Sequence, residues 1–166
     1  SKRSPVNQEE LDTMPKRRSK PENTKLEPSN QFSSISQALE VGREYIRTGF
    51  LLEAKDICRQ VLEADPNHHA ALNMMGLIAN QDGENDIAIE LIADAISNKP
   101  DFSEAHNNLG IVLHEKGELE DAVLSHKNAL AIKPDFGNAH FSLGSTLQDM
   151  GRLEDAIGCY RKALDF

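Results

Sequence analysis

Glycine stands on two ladders with one rung spacing. Gly42, Gly76, Gly110 and Gly144 are 34 residues apart, and Gly49, Gly83, Gly117 and Gly151 repeat the interval. Ala54, Ala88, Ala122 and Ala156 keep the same period, as do Pro66, Pro100 and Pro134. A fixed period of this length means one supersecondary unit copied and stacked, each copy burying its apolar face on the next. A single central core is thereby excluded.

Each period carries two helical patterns. In the third, Ala105, Leu109, Val112 and Leu113 recur at helical spacing, and so do Leu119, Ala122, Val123, Ala129 and Leu130 after Gly117. Gly117 falls between the two patterns, where the chain must turn and a residue free to take positive φ is useful. Pro134 follows the second pattern, and a residue without an N–H ends a helix there. Asn67, Asp101 and Asp135 come next, short acceptors expected at helix starts. Gly110 and Ala122 lie inside helices. A mid-helix glycine costs about 1 kcal/mol against alanine, so its recurrence predicts close backbone approach, with Gly110 opposite Ala122 on the antiparallel partner.

These features resemble the tetratricopeptide repeat family. The Leu-Gly pairs Leu109-Gly110 and Leu143-Gly144 carry the likeness, together with the glycine turns, the alanine contacts and the prolines. The resemblance implies an all-α solenoid of four helix-turn-helix hairpins in a right-handed superhelix. The copies are 35–68, 69–102, 103–136 and 137–166, the last incomplete, after a polar tail at 1–34. It also implies protein–protein contact and no shared chemistry. The chain departs from the family pattern by placing Ala38, Leu72, His106 and His140 where Trp is usual, and Cys58, Ile92, His126 and Tyr160 where an aromatic is usual. The histidine-bearing copies look like the superhelical arrays of O-linked N-acetylglucosamine transferases.

Charge is unevenly placed. The whole chain is −9, residues 1–34 are +2, and residues 35–166 are −11. An acidic array argues against nucleic-acid backbones and anionic membranes and favours a basic partner. No apolar run reaches the roughly 18 residues of a membrane helix. The tail is too poor in large apolar residues to offset its ordering entropy and is expected to be disordered. The cluster Lys2-Arg3 with Lys16 to Lys20 has the form of a bipartite nuclear signal. The cytoplasm is the expected compartment, with the nucleus the alternative if that cluster acts. Cys58 and Cys159 are three copies apart, beyond disulfide reach in a solenoid.

By the same resemblance, the first helix of each copy lines a concave groove. Its candidate peptide contacts are Asn73, Leu77, Asn80, Asn107, Asn108, Ile111, His114, Phe141 and Gln148. Amide side chains donate and accept at once and suit an extended peptide's free N–H and C=O groups. Asn73 and Asn107, one period apart, are the expected short asparagine ladder. The first-helix cations Arg43, Arg47 and Lys116 do not recur in copies two and four, so a carboxylate clamp is not expected.

No Cys-x-x-Cys, His-Glu-x-x-His or phosphate-loop pattern occurs. The expected protein is therefore not an enzyme and uses no cofactor or metal, with His106, His126 and His140 as packing residues. It is a scaffold for a protein or peptide. The alternative is the targeting region of a larger glycosyltransferase, sulfotransferase or methyltransferase. Cys159, Ala163, Leu164 and Phe166 have no following helix to cover them, which predicts self-association through that end.

Overall fold

A computed structural model describes residues 34–166. The predicted tail and its basic clusters lie outside the described residues, except for Ser34. The described residues form eight helices in four hairpins: α1 (Ile35–Thr48), α2 (Leu51–Ala64), α3 (His69–Gln81), α4 (Asn85–Asn98), α5 (Ser103–Glu115), α6 (Leu119–Ile132), α7 (Gly137–Asp149) and α8 (Leu153–Leu164).

The turn inside each hairpin is made by the glycine ladder. Gly49, Gly83, Gly117 and Gly151 have φ between 75° and 84°. The next residue's N–H reaches back five residues, as from Glu118 to the Leu113 carbonyl at 2.9 Å, closing a Schellman motif. A side chain at Gly117 would meet no steric neighbour, so its requirement is conformational alone. The second helices start without a side-chain cap. Instead, acids occupy their first turns (Glu53, Asp86, Glu120 with Asp121, Glu154 with Asp155), where they complement the helix dipole.

Between hairpins the prolines work as expected and the residues after them do not. Asn67, Asp101 and Asp135 are turn residues; the caps are His68, Phe102 and Phe136. Phe102 N–H bonds the Lys99 carbonyl and Phe136 N–H bonds the Lys133 carbonyl, both at 3.1 Å. Pro100 and Pro134 thus take the second place of a β-turn, where fixed φ is favourable, and the aspartates take the third. Side-chain caps occur at Ser34, whose hydroxyl accepts the Gln37 N–H at 3.2 Å, and at His68, whose Nδ1 accepts from Ala71 at 3.4 Å.

The alanine ladder lies at the hairpin centres, with Ala54, Ala88 and Ala122 fully buried and Ala156 nearly so. The helical glycines face first a side chain beyond that ladder, and at Gly76 the alanine backbone as well. A Cβ on Gly110 would come within 2.6–2.8 Å of the His126 ring, and one on Gly144 within 2.7–2.8 Å of Tyr160. On Gly76 it would strike Ile92 at 2.5 Å and then the Ala88 carbonyl at 3.1 Å. Glycine is therefore required by the large side chain four residues beyond the alanine. In copy one that residue is the small Cys58, and Met74 of the next hairpin fills the space, its Cε 2.6 Å from where a Cβ on Gly42 would stand.

Candidate functional site: the first-helix face

Each hairpin packs its second helix against the first helix of the next. In addition α1 touches α3, α3 touches α5 and α5 touches α7, whereas no two second helices touch one another. The first helices therefore lie on the tighter, inner side of the stack. Their shared face is the candidate site.

The inner face is divided by depth. Asn73 and Asn107 are buried. Leu77, Asn80, Asn108, Ile111 and His114 are half-buried, while Gln81, Glu115, Phe141, Gln148 and Asp149 are exposed. Phe141 is 61% exposed in the last copy, where its equivalents Leu39, Asn73 and Asn107 are buried, and its ring lies 5.5 Å from that of Tyr160. The expected Asn73–Asn107 ladder does not form. Asn73 Oδ1 instead accepts from Asn108 Nδ2 at 3.1 Å, a pair 35 residues apart. Asn107 turns inward, and its Oδ1 accepts from His126 Nδ1 at 3.0 Å. An interval of 34 identifies equivalent positions, but neighbouring first helices meet with a one-residue offset. His114 and Asp149 obey the same offset, with Nε2 and Oδ2 2.6 Å apart.

Behind this face the four hairpins carry four different residue pairs at equivalent positions. Gln148 Oε1 accepts the Tyr160 hydroxyl at 3.1 Å. The equivalent pairs are His114 with His126, Asn80 with Ile92, and Ile46 with Cys58. Ile92 has nothing to donate, and Asn80 Oδ1 is buried without a partner. His126 is fully buried, and burial pushes its imidazole down to about 4. It is held neutral, with the proton on Nδ1 facing Asn107 and Nε2 buried without a partner.

The other candidates settle into packing. His106 and His140 donate from Nε2 to the Pro100 and Pro134 carbonyls at 3.0 and 2.9 Å, tying each first helix to its preceding turn. Among the described residues no three His, Cys, Asp or Glu side chains are placed to hold a metal. Cys58 is buried and its thiol is pushed up to about 12, too high for a reactive thiolate at neutral pH. Both cysteines are free thiols. Arg43 and Arg47 pair with Glu40 at 2.8 Å and Glu44 at 2.6 Å on the same helix. Lys116 bridges to Asp86 and Glu118, each at 2.9 Å. No described helix is long and apolar enough to cross a membrane.

Family models described as "Tetratricopeptide repeat" match residues 91–123 and 137–166, and one described as "TPR repeat" matches residues 112–151. Among solved structures the chain is similar to MamA, at 24% identity and TM-score 0.66, over 80% of this chain and 77% of that one. A MamA structure from AMB-1 aligns at 26% identity and TM-score 0.58, over 80% of this chain and 73% of that one. A mutant O-GlcNAc transferase of Thermobaculum terrenum aligns at 32% identity and TM-score 0.65, over 68% of this chain and 22% of that one. No curated protein matches by sequence.

Proposed function

We propose, from the premise that this chain is an array of tetratricopeptide repeats, that it is a non-catalytic scaffold holding a protein or peptide segment along the inner face of its first helices. The observation that carries this reading is the exposed row Gln81, Glu115 and Asp149, one period apart on a face built by helices that touch. Phe141 offers an apolar anchor, Gln148 an amide at the rim, and Glu115 and Asp149 negative charge. Helices α3, α5 and α7 contain no Lys or Arg, so a basic segment meets no repulsion there. Asn73 and Asn107 support the wall, because their amides are already engaged; Asn80, Leu77, Asn108, Ile111 and His114 form the floor.

The test uses a photo-crosslinking amino acid in the full chain, at Phe141 in one protein and at Leu52 of α2 in another. Leu52 is 78% exposed on a second helix. Crosslinked partners are expected from Phe141 and not from Leu52, with yield falling severalfold in an E115Q/D149N background. Equal yields from both positions would remove the inner-face assignment.

The likeness to the O-GlcNAc transferase array favours a second reading, in which the same face selects substrates for a catalytic region elsewhere in a longer polypeptide. The complete reading frame decides between them. A catalytic domain in the same frame would support it, and its absence would exclude it.

A further inference from the structure

The outer side of the stack carries a groove of its own, away from the inner face. The second helices α4 and α6 do not touch, and between them lies a groove of about 380 Å³. Ile96 and Leu109, both half-buried, form its base. The 34-residue period puts equivalent bases in the flanking seams, Leu62 with Met75 and Leu130 with Leu143. The rims differ. Between copies one and two the rim positions are Arg59 and Glu63 on α2 with Glu90 and Asp94 on α4. Between copies three and four they are Lys127 and Ala131 with Gly158 and Lys162. Around this groove they are Ala93, Ser97, Leu124 and Asn128, none of them charged. Leu124 is 58% exposed at a place where copies one and two have Asp56 and Glu90.

Three features set the chemistry of an occupant. The uncharged rim and aliphatic base favour apolar side chains, which gain by leaving water. The donors lining the groove are engaged: Ser97 and Ser125 donate to the Ala93 and Asp121 carbonyls, each at 2.9 Å, and His106 Nε2 to the Pro100 carbonyl at 3.0 Å. An extended segment would bury backbone carbonyls there without partners, whereas an α-helix bonds its own. Finally, Asp121 lines the groove, is exposed, and makes no ion pair among the described residues. Together α4 and α6 carry Asp86, Glu90, Asp94, Glu120 and Asp121 against Lys127 alone. Their field attracts a basic helix and repels a second copy of this acidic array.

We infer that the α4–α6 groove seats an α-helix of a partner protein. That helix places two leucine-sized side chains, one turn apart, in the groove and a lysine or arginine on the flank that meets Asp121. The surface is separate from the inner face, and its occupancy does not depend on what the inner face holds.

The probe is a synthetic helical peptide whose apolar side chains are two leucines at i and i+4, flanked by lysines. It is titrated into the full chain and followed by methyl NMR. The Ile96, Leu109 and Leu124 methyls are expected to shift, and affinity is read from them. Ala93→Arg/Leu124→Glu gives this groove the Arg59 and Glu90 of the preceding seam and leaves net charge unchanged. Both positions are exposed, so the variant should keep the parent's Tm. It should weaken binding about tenfold or more, the scale of one lost leucine burial. Asp121→Asn should weaken it about twofold, as loss of a surface ion pair does. The same peptide with glutamate for every lysine should not bind. No shift of the groove methyls, shifts confined to Leu77 and Ile111 on the inner face, or equal affinity for the rim variant or the glutamate peptide would overturn the inference. So would a free chain that sediments as a dimer with its Leu124 methyls already shielded.

Discussion

Copies two and three have the same backbone plan and opposite interiors. Behind α3 the seam is hydrocarbon: Ile92 lies over Gly76, and Leu72, Ala79, Ala88 and Ala95 surround it. Behind α5 the same place holds His126, bonded to Asn107 and pressed on Gly110. The glycine tolerates either occupant because what it supplies is space, and a flat imidazole or a branched aliphatic chain can fill it. The difference teaches that the ladder specifies the shape of the unit, while the position four residues past the alanine specifies its chemistry. Copy two gains a dry seam at the cost of a stranded Asn80 oxygen. Copy three gains a polar pair and, with it, sensitivity to acid.

The largest expected break in the comparison is therefore pH. Folded His126 titrates at about 4 against an ordinary value of 6.5, so the unfolded chain takes up the proton first as the solution is acidified. Stability is fully present above about pH 6.5 and falls progressively to about pH 4, by about 3 kcal/mol for a shift of this size. Burial beside Phe102 also lowers His69, with the same sign. The measurement is thus a difference: urea midpoints from pH 7 to 4 for the wild-type chain against His126→Ile/Asn107→Leu, which gives copy three the residues of Ile92 and Leu39. The double variant should lose less stability on acidification. Parallel curves would show that His126 is not the titrating group.

A smaller effect separates the glycines by the stiffness of what faces them. Gly110→Ala drives a methyl into an imidazole ring that Asn107 holds in place, and should cost about 1–3 kcal/mol. Gly42→Ala presses on the mobile end of Met74, meets Ile57 at an ordinary contact distance of 3.5 Å and gains helix propensity, so its change should lie near zero. Thermal melts of the two variants check the order, and an equal loss at both positions would show that side-chain stiffness is irrelevant.

The smallest is a coupling. His126→Ile alone leaves Asn107 Oδ1 buried without a donor and should cost about 1–2 kcal/mol. Adding Asn107→Leu should return much of that. A double-mutant cycle with no interaction term would show that the 3.0 Å contact contributes nothing.

The face proposed for binding was only partly readable in advance. Phe141 and Gln148 stand exposed on the inner helices, as residues of a groove must. Asn107 was read as a groove residue because its register matches, yet it is withdrawn into the seam. A sequence-level signal for this exists, since a histidine at a core position requires a polar partner. Asn107 stands about one helical turn before Gly110, on the helix that faces His126 across this hairpin. Asp149 was passed over as a partner of His114 because the reading followed the 34-residue period. The inner helices meet at 35, since packed helices interlock side chains into the gaps between their neighbours' rows.

What the sequence determined by itself is the unit. Helix lengths, glycine turns, proline stops and buried alanines are local requirements of backbone geometry and periodicity, legible wherever the chain repeats them. What only the tertiary structure decided is which side chain faces which across a seam: His126 over Gly110, Asn108 to Asn73, and Asp149 to His114. Those pairings depend on the offset and approach of neighbouring helices. The pairings between copies arise where neighbouring hairpins pack, so no single 34-residue copy contains them, and the one inside a hairpin depends on how its two helices approach.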